Sequence, residues 1–242
     1  MANGECNAGA SGAPPPKYFG GSDAPWVDAP KKGIEQHDGF MLRLALGVGG
    51  ASATSKTKLP ASVSAGLAGL AGLGIDGDFG YSGVAGSFSL DIGAGLSDEL
   101  VLHARLADMV ITDPEVTLDG QDLGTAENRS VGAMFFGPAL TYYIMPVNIY
   151  FTGAVGLSWT SVREQDSNGD TVSKASDMGL GVNLDIGKEW WVSDNWGLGV
   201  AARLWYTALT DKQDLGISST GDTVSTDFKL GALAVLFSAT YQ

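Results

Sequence analysis

The sequence predicts an all-β chain: an eight-stranded antiparallel up-and-down transmembrane β-barrel over residues 38–242, preceded by a disordered Pro/Gly-rich N-terminal extension over 1–37. Three observations carry this expectation. Apolar residues recur at every second position through eight segments, the period of a strand with two unlike faces. The connections between the segments alternate between short and long. The face opposite the apolar one is rich in Gly, Ser and charged residues, which suits the narrow interior of a small barrel better than a water-exposed sheet.

Composition removes several function classes. The 242 residues hold 27 Asp+Glu against 14 Lys+Arg, a formal net charge of −13 with a pI near 4.3. Such a surface repels nucleic-acid phosphates, so no nucleic-acid partner is expected. With 44% hydrophobic residues the chain as a whole is no acidic disordered protein. Its single cysteine, Cys6, allows neither an internal disulfide nor a cysteine-cluster metal site.

Residues 1–37 carry five of the nine prolines and no apolar periodicity, hence the expected flexible extension of partly polyproline character. Residues 1–13 lack the basic start and the apolar run of a secretory signal. From Phe40 the texture changes. Phe40, Leu42, Leu44, Leu46 and Val48 alternate with Met41, Arg43, Ala45 and Gly47. Val84, Phe88, Leu90 and Ile92 alternate with Ala85, Ser87, Ser89 and Asp91, and Leu100, Leu102 and Leu106 with Val101, His103 and Arg105. Residues 131–143 form a fourth segment, apolar on both faces. In the fifth, Ile149, Phe151, Val155, Leu157 and Trp159 oppose Tyr150, Thr152, Ala154 and Ser158. Leu180, Val182, Leu184 and Ile186 oppose Gly181, Asn183 and Asp185 in the sixth; Trp196, Leu198, Val200, Leu204 and Tyr206 oppose Gly197, Gly199 and Arg203 in the seventh. Leu233, Val235, Phe237, Ala239 and Tyr241 close the set.

A membrane helix is the main competitor, because Ser130–Val162 runs 33 residues without a charge. Pro138 and Pro146 interrupt it, and Met145-Pro146-Val147-Asn148 reads as a turn between two alternating segments. The uncharged run Leu59–Ile75, rich in Gly and Ala, reads as a loop with a short helix. Short connections fall near 95–98, 145–148 and 193–195, and long ones at about 50–80, 108–129, 162–176 and 210–226. Three short and four long connections place both ends of an eight-stranded barrel on the same side.

Aromatic residues gather beside the short turns. Tyr142, Tyr143, Tyr150, Trp190, Trp191 and Trp196 are therefore expected to form a girdle at a lipid headgroup boundary. The inward charges Arg43, Asp91, Arg105, Asp185, Glu189 and Arg203, with His103, are expected to pair as a polar plug in the lumen, since buried charges need partners.

The segments GPALTYYIMPVNIYFTGAVGLSW (137–159), GKEWWVSDNWGLGVAARLWY (187–206) and LFSATYQ (236–242) resemble the small outer-membrane β-barrel proteins of Gram-negative bacteria, the OmpX/OmpW-like group. The resemblance covers about 38–242. It implies an outer-membrane location, export through a cleaved signal, and two partners: outer-membrane lipid and the barrel-insertion machinery. No cofactor is assigned, and a monomer is the expected state. Proteins of this group usually end in an aromatic residue, whereas here Tyr241 is penultimate.

Three chemistries remain to be weighed. His103, with Ser87, Ser89 and Asp91 on the preceding strand, has the residue types of a hydrolytic triad of the kind some lipid-modifying barrels carry, against the simpler reading of a histidine in the plug. Asp166-Ser-Asn168-Gly-Asp170 with Asp177 has a spacing near that of a calcium loop, but Gly169 sits one place early and Lys174 replaces a ligand, so a hairpin tip explains it more simply. Asp108, Asp113, Glu115, Asp119, Asp122 and Glu127 make the second long loop acidic, expected to be a solvated surface. No catalytic or metal residue is assigned. The function expected is a structural or surface-interaction role through acidic outer loops; the alternative is a narrow porin-like conduit for small or apolar solutes, and after that a lipid-modifying hydrolase.

Overall fold

A computed structural model describes residues 37, 39–58, 78–165, 171–214 and 223–242. The expectations for 1–36, for the run at 59–75 and for the calcium-like stretch at 166–170 lie outside the described residues. Among the described residues eleven strands follow one another: β1 (Phe40–Lys58), β2 (Asp78–Ser97), β3 (Leu100–Thr112), β4 (Glu115–Leu118), β5 (Gln121–Thr125), β6 (Arg129–Ile144), β7 (Ile149–Gln165), β8 (Thr171–Ala175), β9 (Gly179–Ser193), β10 (Trp196–Asp214) and β11 (Thr223–Tyr241).

Eight of them make the wall. Around the barrel the order is β1, β2, β3, β6, β7, β9, β10, β11, with β11 pairing back onto β1, and every neighbouring pair is antiparallel. The β1–β11 register, Leu42 opposite Tyr241 through Lys58 opposite Ser225, closes the sheet and leaves no free edge along the wall. The other three strands were not foreseen. β4 pairs with β2 and with β5, and β8 pairs with β7, so parts of the second and third long connections fold back as extensions of the wall.

The wall strands are also longer than the sequence pattern suggests. β1, β10 and β11 have 19 residues and β2 has 20, where crossing a bilayer takes about 9–11. Beyond the apolar stretch the outward positions of β1 become Ser52, Thr54 and Lys56, so the hydrophobic alternation fades while backbone pairing continues. The long connections are correspondingly shorter than predicted.

Side chains sort by parity. Leu46, Val84, Leu180 and Phe237 are 64%, 70%, 72% and 69% exposed on the outside, while Met41, Val101, Phe135, Trp205 and Leu230 are buried inside. Glycine lets neighbouring strands approach closely where the sheet coils. A Cβ on Gly49 would lie 2.0 Å from the backbone oxygen of Leu233, and one on Gly47 would lie 2.2 Å from that of Val235.

Candidate functional site

The inward face of the wall builds two layers. The layer nearer the short turns is polar. Asp91 on β2 stands directly opposite Arg105 on β3 and accepts two bonds from it, Nε to Oδ1 and Nη2 to Oδ2, each 2.8 Å. Asp185 on β9 and Arg203 on β10 repeat the arrangement at 2.8 and 3.0 Å. Such paired forks are the strongest ion-pair geometry arginine can make.

Further bonds extend the network, all but the one from Arg43 to Thr240 joining strands that are not neighbours. Arg105 Nη2 reaches Asp185 Oδ2 at 2.8 Å, and Arg203 Nη2 donates to Ser89 Oγ at 3.1 Å. Arg43 donates from Nε to Thr240 Oγ1 at 3.1 Å and from Nη2 to the Tyr143 hydroxyl, and lies 3.4 Å from Glu189 Oε1. Tyr143 in turn donates to Glu189 Oε2 at 2.8 Å, Thr240 donates to Glu189 Oε1, and the Arg43 guanidinium sits 4.5 Å from the Tyr150 ring centre. Arg43, Arg105 and Arg203 thus face Asp91, Asp185 and Glu189, three charges of each sign, all buried. Among the described residues the buried charge sums to zero, which is what a low-dielectric interior requires.

His103 shares a bond with Thr141 Oγ1 at 2.9 Å, and its Nδ1 lies 3.7 Å from Asp91 Oδ1. The acid that a triad would need is instead held by Arg105, and Ser89 is engaged by Arg203.

The layer nearer the long loops is mainly apolar: Met109, Ile111, Val131, Phe135, Trp205, Leu209, Phe228 and Leu230. Phe135 meets Trp205 edge-on at 6.1 Å, and the Trp205 indole donates to Thr207 Oγ1 at 2.8 Å. Filling the lumen at this level takes only side chains, as an eight-stranded barrel permits.

At the short-turn end a third group forms a cap. His37 stacks 3.5 Å from the Tyr143 ring, lies 5.4 Å from Trp191, and bonds through Nε2 to Asn148 Oδ1 at 2.9 Å and through Nδ1 to the Gln242 side chain. It is 1% exposed, and burial pulls its pKa below the ordinary value of 6.5, against the opposing effect of its hydrogen bonds. The expected extension therefore has its last residue packed against the barrel.

The aromatic girdle needs correcting. Tyr142, Trp190 and Trp196 point outward at 46%, 49% and 44% exposure, but Tyr143 and Tyr150 are buried in the lumen and Trp191 packs toward His37. The reason is strand parity: side chains next to each other in a strand take opposite faces, so Tyr143 must point away from Tyr142. The outward rings are braced locally, Tyr142 donating to Glu99 Oε2 at 3.2 Å, Lys188 lying 5.5 Å over Trp190, and Trp196 meeting Tyr241 edge-on at 5.4 Å.

The acidic loop also changes character. Asp108 belongs to β3. Asp113 and Asp119 adopt positive φ and accept the backbone N–H of Asn128 at 2.8 Å and of Asp78 at 2.9 Å, while Asp122 accepts that of Gly124 at 2.8 Å. These carboxylates shape the β4–β5 hairpin, a use that aspartate's short side chain favours.

Several solved outer-membrane proteins align with this chain. Among solved structures, OprG from Pseudomonas aeruginosa aligns at 13% identity over 84% of this chain and 97% of its own, with a TM-score of 0.39. AlkL, solved in lipid bilayers, aligns at 14% over 89% and 95%, with a TM-score of 0.39. The outer-membrane protease OmpT from Escherichia coli aligns at 11% over 83% and 96%, with a TM-score of 0.34. No family model and no curated protein matches. The barrel closure is established by the chain's own strand pairing.

Sequence reasoning missed Tyr143, Tyr150, Thr141, Thr240 and His37 as members of the interior. Parity was the available signal for the first four: Tyr143 shares a face with Thr141, Tyr150 with Thr152, and Thr240 with Ser238. His37 precedes the first strand, and only the tertiary fold brings it beside Asn148 and Gln242.

Proposed function

We propose that this chain is an integral outer-membrane β-barrel with a sealed lumen and no enzymatic activity, acting structurally or through contacts at its long-loop end. The observation that carries the reading is the exterior. Apolar side chains from Phe40 on β1 to Phe237 on β11 stand exposed around the wall, a surface far beyond the apolar patches that water-soluble proteins carry. A closed wall with a lipid-facing band and aromatic rings beside its short turns is the architecture that crosses an outer membrane, the short turns lying in the periplasm.

The charge-balanced network and the apolar layer above it support closure over conduction. The Asp113, Asp119 and Asp122 side chains, committed to the hairpin, support a shaped outer surface in place of a diffuse acidic one. Outer-membrane lipid and the insertion machinery are the partners this reading requires, and a monomer suffices for it.

Two measurements test it. Cell fractionation is expected to place the chain in the outer membrane, with a band that shifts on heating; a chain that stays soluble without detergent would overturn the location. The purified barrel in a planar bilayer is expected to show no sustained conductance. Steady conductance or solute flux would instead support the narrow conduit.

A further inference from the structure

Among the described residues, seven buried polar atoms inside the barrel have no hydrogen-bond partner: Nη1 of Arg43, Arg105 and Arg203, Nδ1 of His103, both side-chain amide atoms of Asn183, and the hydroxyl of Ser87. Their distribution is ordered. Arg43 and His103 lie toward the short-turn end; Arg105 and Arg203 occupy the middle; Asn183 stands one inward position beyond Asp185, and Ser87 one beyond Ser89. The series then stops. Asn183 is directly opposite Trp205 in the β9–β10 register, and Ser87 is directly opposite Met109 in the β2–β3 register. From there toward the long loops the lumen is lined chiefly by Met109, Ile111, Phe135, Trp205, Leu209 and Leu230.

Guanidinium N–H groups in a membrane interior have no second source of acceptors, because the wall's backbone carbonyls are used in the sheet ladder. The ligand that fits such scattered donors and acceptors is water, which bridges groups too far apart to bond directly. The 3.7 Å between His103 Nδ1 and Asp91 Oδ1 is one such separation. We infer that the polar layer is a binding site for a file of ordered water running from Arg43 and His103 to Asn183 and Ser87, and that the apolar layer capped by Trp205 and Phe135 is the barrier to permeation.

The lumen is then wet in its short-turn half, beneath the His37 cap, and dry toward the outer face. Hydrophobic constrictions of this kind close a pore by excluding water. The inference rests on the proposed sealed, membrane-embedded barrel and names the residues that seal it.

Water-edited solid-state NMR of the labelled, unmodified barrel in lipid bilayers tests the site directly. Magnetisation from water is expected to reach the Arg43, Arg105 and Arg203 guanidinium groups and the Asn183 amide several-fold faster than the Trp205 and Leu230 side chains. Equal, slow build-up at both layers would overturn the water file. The barrier is tested by proton flux into vesicles loaded with a pH dye. A Trp205→Ser/Phe135→Ser barrel that keeps its heat-shifted band is expected to leak protons at least tenfold faster than the unmodified protein. No increase in that folded variant, or an equal leak from Asp185→Asn with the apolar layer intact, would refute the assignment. Should the double variant not fold, the NMR comparison still decides the site. Failure of the membrane reading shows separately, as a soluble chain, and failure of closure as flux through the unmodified barrel.

Discussion

Asp185 is the shared acceptor of the lumen network, and replacing it by Asn removes a charge at nearly constant volume. In the structure Asp185 takes two bonds from Arg203 and lies 2.8 Å from Arg105 Nη2. Arg105 keeps Asp91 when Asp185 is neutralised, but Arg203 keeps only the 3.1 Å bond to Ser89. A buried arginine is left without its counter-ion, which costs about 3–5 kcal/mol. Asp91→Asn is the internal comparison. There Arg105 retains Asp185 and Arg43 retains Glu189, so no arginine loses every acid, and the expected cost is smaller, roughly 2 kcal/mol. Removing the stranded charge as well, in Asp185→Asn/Arg203→Met, is expected to recover more than half of the loss, because replacing both partners of a buried pair is far milder than removing one. Urea titrations of folding into phospholipid vesicles, followed by tryptophan fluorescence and the heat-shifted gel band, give all three values. A loss below about 1 kcal/mol for Asp185→Asn, or a larger loss for Asp91→Asn, would refute the view that charge balance holds the lumen together.

Other outcomes follow from the same geometry. Leu46 and Phe237 face each other on the outside of the wall, so Leu46→Arg is expected to cost about 2–4 kcal/mol of folding into vesicles if lipid covers them; a change within about 0.5 kcal/mol would mean the face meets water. Trp205→Ala removes a fully buried ring from the apolar layer and is expected to cost about 3–5 kcal/mol in the same titration. Gly49→Leu drives a Cβ to within 2.0 Å of a backbone oxygen and is expected to abolish the heat-shifted band, which reports the closed barrel. Burial depresses the His37 pKa, so the unfolded chain binds the extra proton first, and stability is lost as pH falls below 6.5. Comparing pH 7.5 with pH 5, His37→Gln is expected to lose less stability than the unmodified protein; identical slopes would show that the buried imidazole does not contribute.

Much of this was legible in the sequence. Alternation alone sorted Leu44, Leu46 and Val48 from Met41, Arg43 and Ala45, because a strand's side chains have a period of two and the two faces meet different media. The charged members of the interior were visible for the same reason. The tyrosines were misplaced where chemistry was allowed to outweigh parity: a ring beside a turn suits an interface, yet Tyr143 supplies its hydroxyl and Tyr150 its π-face to Arg43 inside. The loop acids were read as a charge cloud because a one-dimensional pattern does not show which carboxylate reaches a backbone N–H across a hairpin.

By itself, then, the sequence determined which residues share a face and that the chain alternates eight times between two media. Those properties follow from local backbone geometry and from the free energy of burying apolar surface. The tertiary structure decided who partners whom. Closure between β1 and β11 set the lumen's width, brought Arg105 to Asp185 and Arg203 to Ser89 across it, and seated His37 between Tyr143, Asn148 and Gln242. Those contacts join strands distant in sequence, and their distances depend on the coiling of the whole sheet, which no single strand specifies.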